Sequence, residues 1–491
     1  MPFLPFPRPA TLFRLAAQLL LATVCLLLPR SLSAAETDRP NILLIIADDW
    51  SWPHASVYGD NVVSTPAFNR VAAQGAIFTQ AFSASPSCTP SRSSILTGRP
   101  VHQLEEAGNL WSLLNQKFPV FTALLQVNGY AIGLQGKGWG PGNYEAGGYL
   151  RNPAGPSFKS FREFLHSVPD GQPFCFWFGS SNPHRPYEKG SGLAAGLDPS
   201  KVIVPPYWPD TPEVRNDLLD YHLEVQRFDQ EAAEILKVLE DFGRASNTMV
   251  IMTSDNGMPF PRAKANLYDA GTRVPLAIRW PDKYRPALVI DSFVNLMDLA
   301  PTILDAAGFR PLRSMTGRSL LPLLTGEEED DRDRVFLERE RHAHVREGNL
   351  SYPMRAVRTP RFLYIRNFRP DRWPAGDPEL VHSVGPFGDV DASPTKEIVL
   401  RTKEIPNYGH YYLLNFGKRP PEELYDLARD PHQINNVVDD PQYRFELGKV
   451  RGSLTRWLNK TEDPRMADPD DDRWDYYPYF GGPAKAAAAE K

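Results

Sequence analysis

The sequence predicts an α/β protein built on a largely parallel sheet, followed by a smaller α+β region that carries an antiparallel sheet. Three observations carry this. Helical and strand patterns alternate from residue 40 to about 310. Two apolar, strand-like runs each stop at a pair of acid or amide residues, Asp48-Asp49 and Asp255-Asn256. Beyond the charged run Glu327–Asp331, taken as a solvated loop, short strands flanking turns replace the alternation.

In chain order, residues 1–35 read as a secretory signal. Arg8 and Arg14 precede the apolar stretch Leu15–Leu28, and Ser33-Ala34-Ala35 offers small residues for cleavage. A retained anchor is the alternative, but the stretch is shorter than the roughly 20 residues a span prefers. Asn41–Ile46 is a continuous apolar run of buried-strand type. Thr65-Pro66 opens a helix to Gly75 with Thr65 as its cap, and a second helix is expected from Pro119 to Asn128. Phe174–Phe178 is a buried strand. The strongest helical pattern runs from Asn216 to Phe242, with Leu219, Leu223, Phe228, Ile235 and Leu239 on one face. Thr248–Thr253 is the next strand. Later, Arg355–Thr359 and Phe362–Phe368 read as paired strands, and Tyr443–Leu458 as a closing helix. The expected organisation is a catalytic α/β domain over 36–334, an α+β subdomain over 335–465, and a disordered polar tail over 466–491.

With 491 residues, 42% of them hydrophobic, the chain can bury a sizeable core. Its formal charge of −5 excludes a nucleic-acid binder of the basic type and requires any acidic substrate to be held locally. Removal of the signal would remove Cys25 and leave only Cys88 and Cys175, too few for a disulfide framework. Cys175 sits in the apolar Phe174–Phe178 run, where cysteine acts as a small hydrophobe.

Cys88 differs. In Ser87-Cys88-Thr89-Pro90-Ser91-Arg92, Pro90 suits the first turn of a helix, which places Cys88 at a helix N-terminus, a setting that favours anions. Arg92 adds a full positive charge one turn on. These residues alone leave open a low-pKa or metal-binding cysteine. Asp48, Asp49, Asp255 and Asn256 stand at strand ends, where ligands of open α/β sheets bind. They offer hard oxygen ligands suited to Ca²⁺ or Mg²⁺.

The string Cys-x-Pro-Ser-Arg with Leu96-Thr97-Gly98-Arg99 resembles the maturation signature of the type I sulfatases, whose cysteine is oxidised by a separate enzyme to formylglycine. The resemblance implies an alkaline-phosphatase-like fold and a hydrated aldehyde at position 88 as nucleophile. It also implies a calcium ion held by Asp48, Asp49, Asp255, Asn256 and residue 88. Gly136-Lys137-Gly138 resembles the family's lysine turn, although Trp139 stands where many members carry histidine. Asn182-Pro183-His184 matches the histidine near the leaving group. Lys264 matches a second sulfate-binding cation, with Arg262 as the neighbour that could substitute, and the Gly271–Pro275 turn makes Arg273 mainly structural.

The resemblance spans roughly 38–465. Asn256–Pro261, Asn266-Leu267-Tyr268, Ser351–Arg355 and Glu423–Leu427 resemble the heparan N-sulfatase (sulfamidase) branch. Arg341 and His342, just before the Ser351 stretch, are nominated as sugar or carboxylate contacts. The expected activity is desulfation of a glycosaminoglycan-like saccharide by an exported enzyme, periplasmic or secreted, matured by a formylglycine-generating partner and without a stable membrane anchor. Competing readings are a phosphate or phosphonate monoester hydrolase of the same superfamily, and an inactive glycan-binding protein.

Overall fold

The Asn41–Ala47 strand is buried along its whole length because both faces of the sheet around it are covered. Leu43 and Ile45 pack on one side with Phe161, Phe176 and the Phe228 side of the long helix, while Ile42, Leu44 and Ile46 pack on the other with Ile95, Leu96 and Leu299. A strand covered on both faces needs apolar residues at every position, hence the unbroken run. The computed structural model describes residues 39–281, 283, 286–327, 331–379 and 385–481. The proposed signal, with Cys25, lies outside the described residues, as do three residues of the Glu327–Asp331 run.

The main sheet has seven strands in the order 131–136, 174–179, 41–47, 248–254, 276–279, 76–78, 288–290. The four strands of one half run parallel. Leu276–Arg279 pairs antiparallel with both its neighbours, and Ala76–Phe78 with Leu288–Ile290 is parallel again. A second sheet of four antiparallel strands, Val335–Arg339, Met354–Arg358, Phe362–Asn367 and Glu422–Asp426, matches the expected α+β region. From Pro40 on, the chain forms one compact unit, so the break near 335 is a change of architecture within it.

The helices differ in detail from expectation. The long helix spans Pro212–Asp241, four residues earlier than the pattern suggested, because Thr211 caps it through Val214 N and Pro212 fits its first turn. Thr65 precedes the Pro66–Ala73 helix but does not cap it; its hydroxyl is engaged with Ser56 and Asn69. The expected disordered tail is corrected. In its described part the tail is anchored, with short helices at Pro464–Ala467 and Arg473–Tyr476 and a fully buried Trp474 among mostly exposed neighbours; residues 482–491 lie outside the described residues. Trp474 donates to Glu105 O at 3.2 Å, and Asn109 donates to Trp474 O at 3.0 Å. Among the described residues, no helix is long and apolar enough to cross a membrane.

Candidate functional site

Adjacent parallel strands deliver the acid and amide pairs to one edge. Ala47 is in register with Ser254, so Asp48-Asp49 and Asp255-Asn256 emerge side by side at the carboxyl ends of their strands. Asp49 adopts φ 75°, which turns its carboxylate back toward Asp255, whose Oδ1 accepts from Asp49 N at 3.1 Å and Asn256 N at 2.8 Å. All four residues are buried, and oxygens of the three aspartates approach one another within 4.8 Å.

The Cys88–Thr97 helix points its N-terminus at this edge. The Cys88 thiol donates toward Asp48 Oδ1 at 3.5 Å and lies 4.0 Å from Asp49 Oδ1. Burial and the neighbouring Asp48 and Asp255 push this thiol well above its ordinary pKa, despite Lys137. This direction runs against the low-pKa reading of Cys88, because desolvation outweighs the helix terminus. Cys88 and Cys175 are both free and both buried, so no disulfide ties up position 88.

Lys137 arrives by close packing of two strand ends. Gly136 has φ 76°, and a Cβ there would lie 2.1 Å from Gly179 O; one at Gly179 would lie 1.8 Å from Lys137 O. The glycines thus let the chain turn so that Lys137 Nζ donates to both oxygens of Asp48, at 2.7 and 2.6 Å. Lys264 Nζ donates to Asp49 Oδ2 at 2.6 Å. His184 sits in the loop after the Phe174–Gly179 strand with Nε2 3.7 Å from Asp49 Oδ2 and 32% of its side chain exposed. Its Nδ1–H donates to Arg185 O at 2.6 Å, so Nε2 is the nitrogen turned toward the acid cluster. One nitrogen of His184, Cys88 Sγ and an Asp48 oxygen lie within 4.8 Å of one another.

Arg92 is fully buried and spent inside the cluster. It donates to Asp255 Oδ2 at 2.8 Å, to the carbonyls of Lys137 and Gly138 at 3.0 Å each, and lies 3.5 Å from Asp48 Oδ1. It braces the carboxylates and the lysine turn. Burial lifts the Asp255 carboxyl to about 6 even with Arg92 beside it. The opposite holds for Asp48, which Lys137, His184 and Arg92 keep far below the carboxylate range against the effect of burial.

Four hard-oxygen residues around one point fit a calcium-like cation, and one atom is left waiting for it. Asn256 donates through Nδ2 to Asp49 Oδ1 at 2.7 Å and Gly257 O at 2.9 Å, yet its buried Oδ1 has no hydrogen-bond partner. An orphaned buried acceptor beside three carboxylates is what an oxygen-ligated metal would satisfy.

Three sequence expectations are corrected. Arg341 is not in the cleft: its guanidinium donates to the carbonyls of Tyr477 and Pro478 at 2.9 and 3.2 Å and tethers the C-terminal segment. His342 is near Cys88 but as a support. Its Nδ1 lies 2.8 Å from Ser87 Oγ, and burial pushes its pKa down to about 3, so it stays neutral and offers no charge to a carboxylate. Arg262 does not substitute for Lys264, because it bonds to Leu414 O and Gln433 O and stacks 3.9 Å over Tyr268. Arg273 is structural as expected, stacked on Trp52 and bonded to Thr79 O. Trp139 is turned into the core, donating to Ser93 Oγ at 2.8 Å.

Asp391 is the site residue that sequence reasoning missed. Its Oδ2 lies 3.6 Å from Lys264 Nζ, and Lys264 and then His184 lower its pKa against the effect of burial. The paired acids Asp389-Val390-Asp391 were its only local signal; Asp389 instead neutralises Arg339 and Arg346.

Comparison with known proteins agrees with this geometry. The sequence model of the sulfatase family matches residues 40–309, and that of the C-terminal region of N-sulphoglucosamine sulphohydrolase matches residues 262–379. The chain is 33% identical to human N-sulphoglucosamine sulphohydrolase over 496 residues, covering 88% of this chain and 92% of that one. A solved structure described as a complex with its substrate D-glucosamine-2-N,6-O-disulfate aligns with a TM-score of 0.63 at 18% identity, over 88% of this chain and 99% of the other. A phosphonate monoester hydrolase from Silicibacter pomeroyi shares the fold equally well, with a TM-score of 0.63 at 18% identity over 88% and 97%.

Proposed function

We propose that this chain, which belongs to the sulfatase family, removes sulfate from the amino or a hydroxyl group of a sulfated glucosamine-type sugar, using a formylglycine made from Cys88. The observation that carries this is the meeting of Cys88 with the acid–amide cluster. The thiol lies 3.5 Å from Asp48, ringed by Lys137, Lys264 and His184, with an unpartnered Asn256 Oδ1 alongside. Similarity to a sulphoglucosamine sulphohydrolase over most of both chains supports the nitrogen-linked sulfate as the first substrate to try.

A divalent cation, calcium by the donor set, would be held by Asp48, Asp49, Asp255 and Asn256, where it favours the deprotonated hydroxyl and offsets sulfate charge. The remaining steps belong to the chain. The hydrated aldehyde at position 88 presents two hydroxyls. One, deprotonated, attacks sulfur as the bond from sulfur to the sugar nitrogen or oxygen breaks. His184, protonated at Nε2, delivers the proton to the leaving atom. Lys137 and Lys264 sit on carboxylates that a cation would engage; their ammonium groups then turn to the sulfate oxygens. The second hydroxyl gives its proton to the now neutral His184, the carbon–oxygen bond to sulfate breaks, and the aldehyde returns. Arg92 and His342 position: the first holds Asp255 and the lysine turn, the second holds Ser87 before the nucleophile. Export through residues 1–35 and maturation by a formylglycine-generating enzyme complete the proposal.

The test is to express the chain beside a maturation enzyme, weigh the peptide carrying position 88, and measure sulfate released from N-sulfated and singly O-sulfated glucosamine, with an aryl phosphate and a phosphonate ester in parallel. Formylglycine at 88 with faster release from the sulfated sugars is expected. Cys88→Ser is expected to accept one sulfate and release none, having only one hydroxyl. Preference for phosphate or phosphonate, or full turnover by Cys88→Ser, would overturn the proposal.

A further inference from the structure

A second group of ligand-type side chains lies where the loop after the first strand meets the long helix. His54 Nδ1 stands 3.0 Å from Asp60 Oδ2, His222 Nε2 stands 3.2 Å from the same oxygen, and the two ring nitrogens are 3.2 Å apart. The donor atoms form a nearly equilateral triangle. His222 and Asp60 are also oriented from behind, the arrangement that outer-shell partners give to metal ligands. His222 donates Nδ1–H to Leu218 O at 2.6 Å, so its Nε2 carries the lone pair when the ring is neutral. Asp60 Oδ1 accepts from the amides of Val62 and Val63 at 2.7 and 3.1 Å, which leaves Oδ2 for the histidines. The two imidazoles are perpendicular, at 89°, with centroids 4.9 Å apart.

With Asp60 ionised, protons alone do not satisfy every contact in the cluster. With both histidines neutral, the His222 lone pair faces a carboxylate oxygen, a repulsive contact that calls for one more cation. A proton on His222 would then set two N–H groups, both aimed at Asp60, against each other across 3.2 Å. A metal in the triangle removes the conflict. Charge-assisted hydrogen bonds run at about 2.7–2.9 Å, shorter than any of the three edges. A tetrahedral ion with bonds of about 2.0–2.1 Å needs its ligand atoms roughly 3.3 Å apart, close to two of them. The site is buried but reachable, with side-chain exposures of 18% for His54, 9% for Asp60 and 3% for His222. These residues line a cavity of about 520 Å³ together with Trp52, Tyr58 and Arg273.

We propose that His54, Asp60 and His222 form a second metal site, separate from the acid–amide cluster, that takes a zinc-type divalent ion with its fourth position open to the cavity. Two imidazoles and one carboxylate select such an ion, whereas the all-oxygen set at Asp48–Asn256 selects calcium or magnesium. The proposal stands independently of the sulfatase reading. It is tested on the full chain, stripped of transition metals, resupplied with calcium and titrated with cobalt(II) as a coloured probe. One cobalt per chain with the intense visible bands of a tetrahedral site is expected. His222→Gln and Asp60→Asn should each weaken binding by more than the roughly 10–100-fold that outer-shell changes cost, and Asp49→Asn should leave the bands unchanged. A melting curve guards against misfolding: saturating zinc should raise the melting temperature of the wild type and not that of His222→Gln. If the only cobalt signal is the weak, octahedral kind that Asp49→Asn abolishes, or if zinc moves both melting temperatures equally, the proposal falls. His222 is then simply the protonated partner of Asp60.

Discussion

Two buried charge clusters in this protein are built from the same count of groups and behave as opposites. At the sheet edge, Asp48, Asp49 and Asp255 face Arg92, Lys137 and Lys264. Under the second sheet, Glu338, Glu340 and Asp463 face Arg355, Arg465 and His102. In the second cluster Arg355 reaches Asp463 at 2.5 Å and Glu340 at 2.7 Å, Arg465 takes both oxygens of Glu340, and His102 takes Glu338. Those partners are mostly planar guanidinium forks, locked and dry. At the sheet edge the outward cations are lysines on flexible stems, Lys137 is 24% exposed, and Asn256 keeps an acceptor unpaired. Burial and ion pairing are therefore common to both. Unmet coordination beside movable cations distinguishes the site from the scaffold.

The comparison can be broken in several places, from the largest effect down. Asp49→Asn should lower sulfate release on the order of a thousandfold while leaving the melting temperature near wild type, measured by steady-state kinetics and calorimetry; unchanged release would place Asp49 with the scaffold. Arg355→Met should do the reverse. It strips Asp463 of its close cation and Glu340 of one of its two, and should cost about 3–5 kcal/mol in denaturant unfolding, with the kcat of the folded fraction intact. Trp474→Ala, which empties a fully buried site in the C-terminal segment, should cost about 3 kcal/mol by the same measurement. The smallest effect sharpens the scaffold side. Burial opposes the charge of His102, but Glu338 and Asp463 raise its pKa above 6.5. Its stabilisation is therefore full below that unfolded value and is lost as pH climbs through the raised folded one. The denaturation midpoint should fall with rising pH in the wild type and fall less in His102→Gln.

The sheet edge was legible in the sequence because each part has a local mark. An apolar run that ends in acids, a proline in a first helical turn and a lysine between glycines can each be read within about ten residues, and the register of parallel strands brings them together. What escaped was contact across long separations. Arg341 looked like a cleft residue because it lies just before the Ser351–Arg355 stretch, yet its partners are carbonyls more than a hundred residues later. The tail looked disordered because it ends in Gly481-Gly482-Pro483-Ala484-Lys485 and an alanine run, and nothing nearby says that Trp474 has a slot at Glu105 and Asn109. His54 and His222 carry no common signature either; the loop and the long helix meet only in the fold.

The Arg341–His342 turn joins two matters that sit far apart in the chain. One residue clasps the carbonyls at 475–478 while the next steadies the serine before position 88. A protease that clipped the backbone after Arg465 and let the end drift away would thus loosen Arg341 one residue from the histidine that holds Ser87, without touching a single group in the cleft.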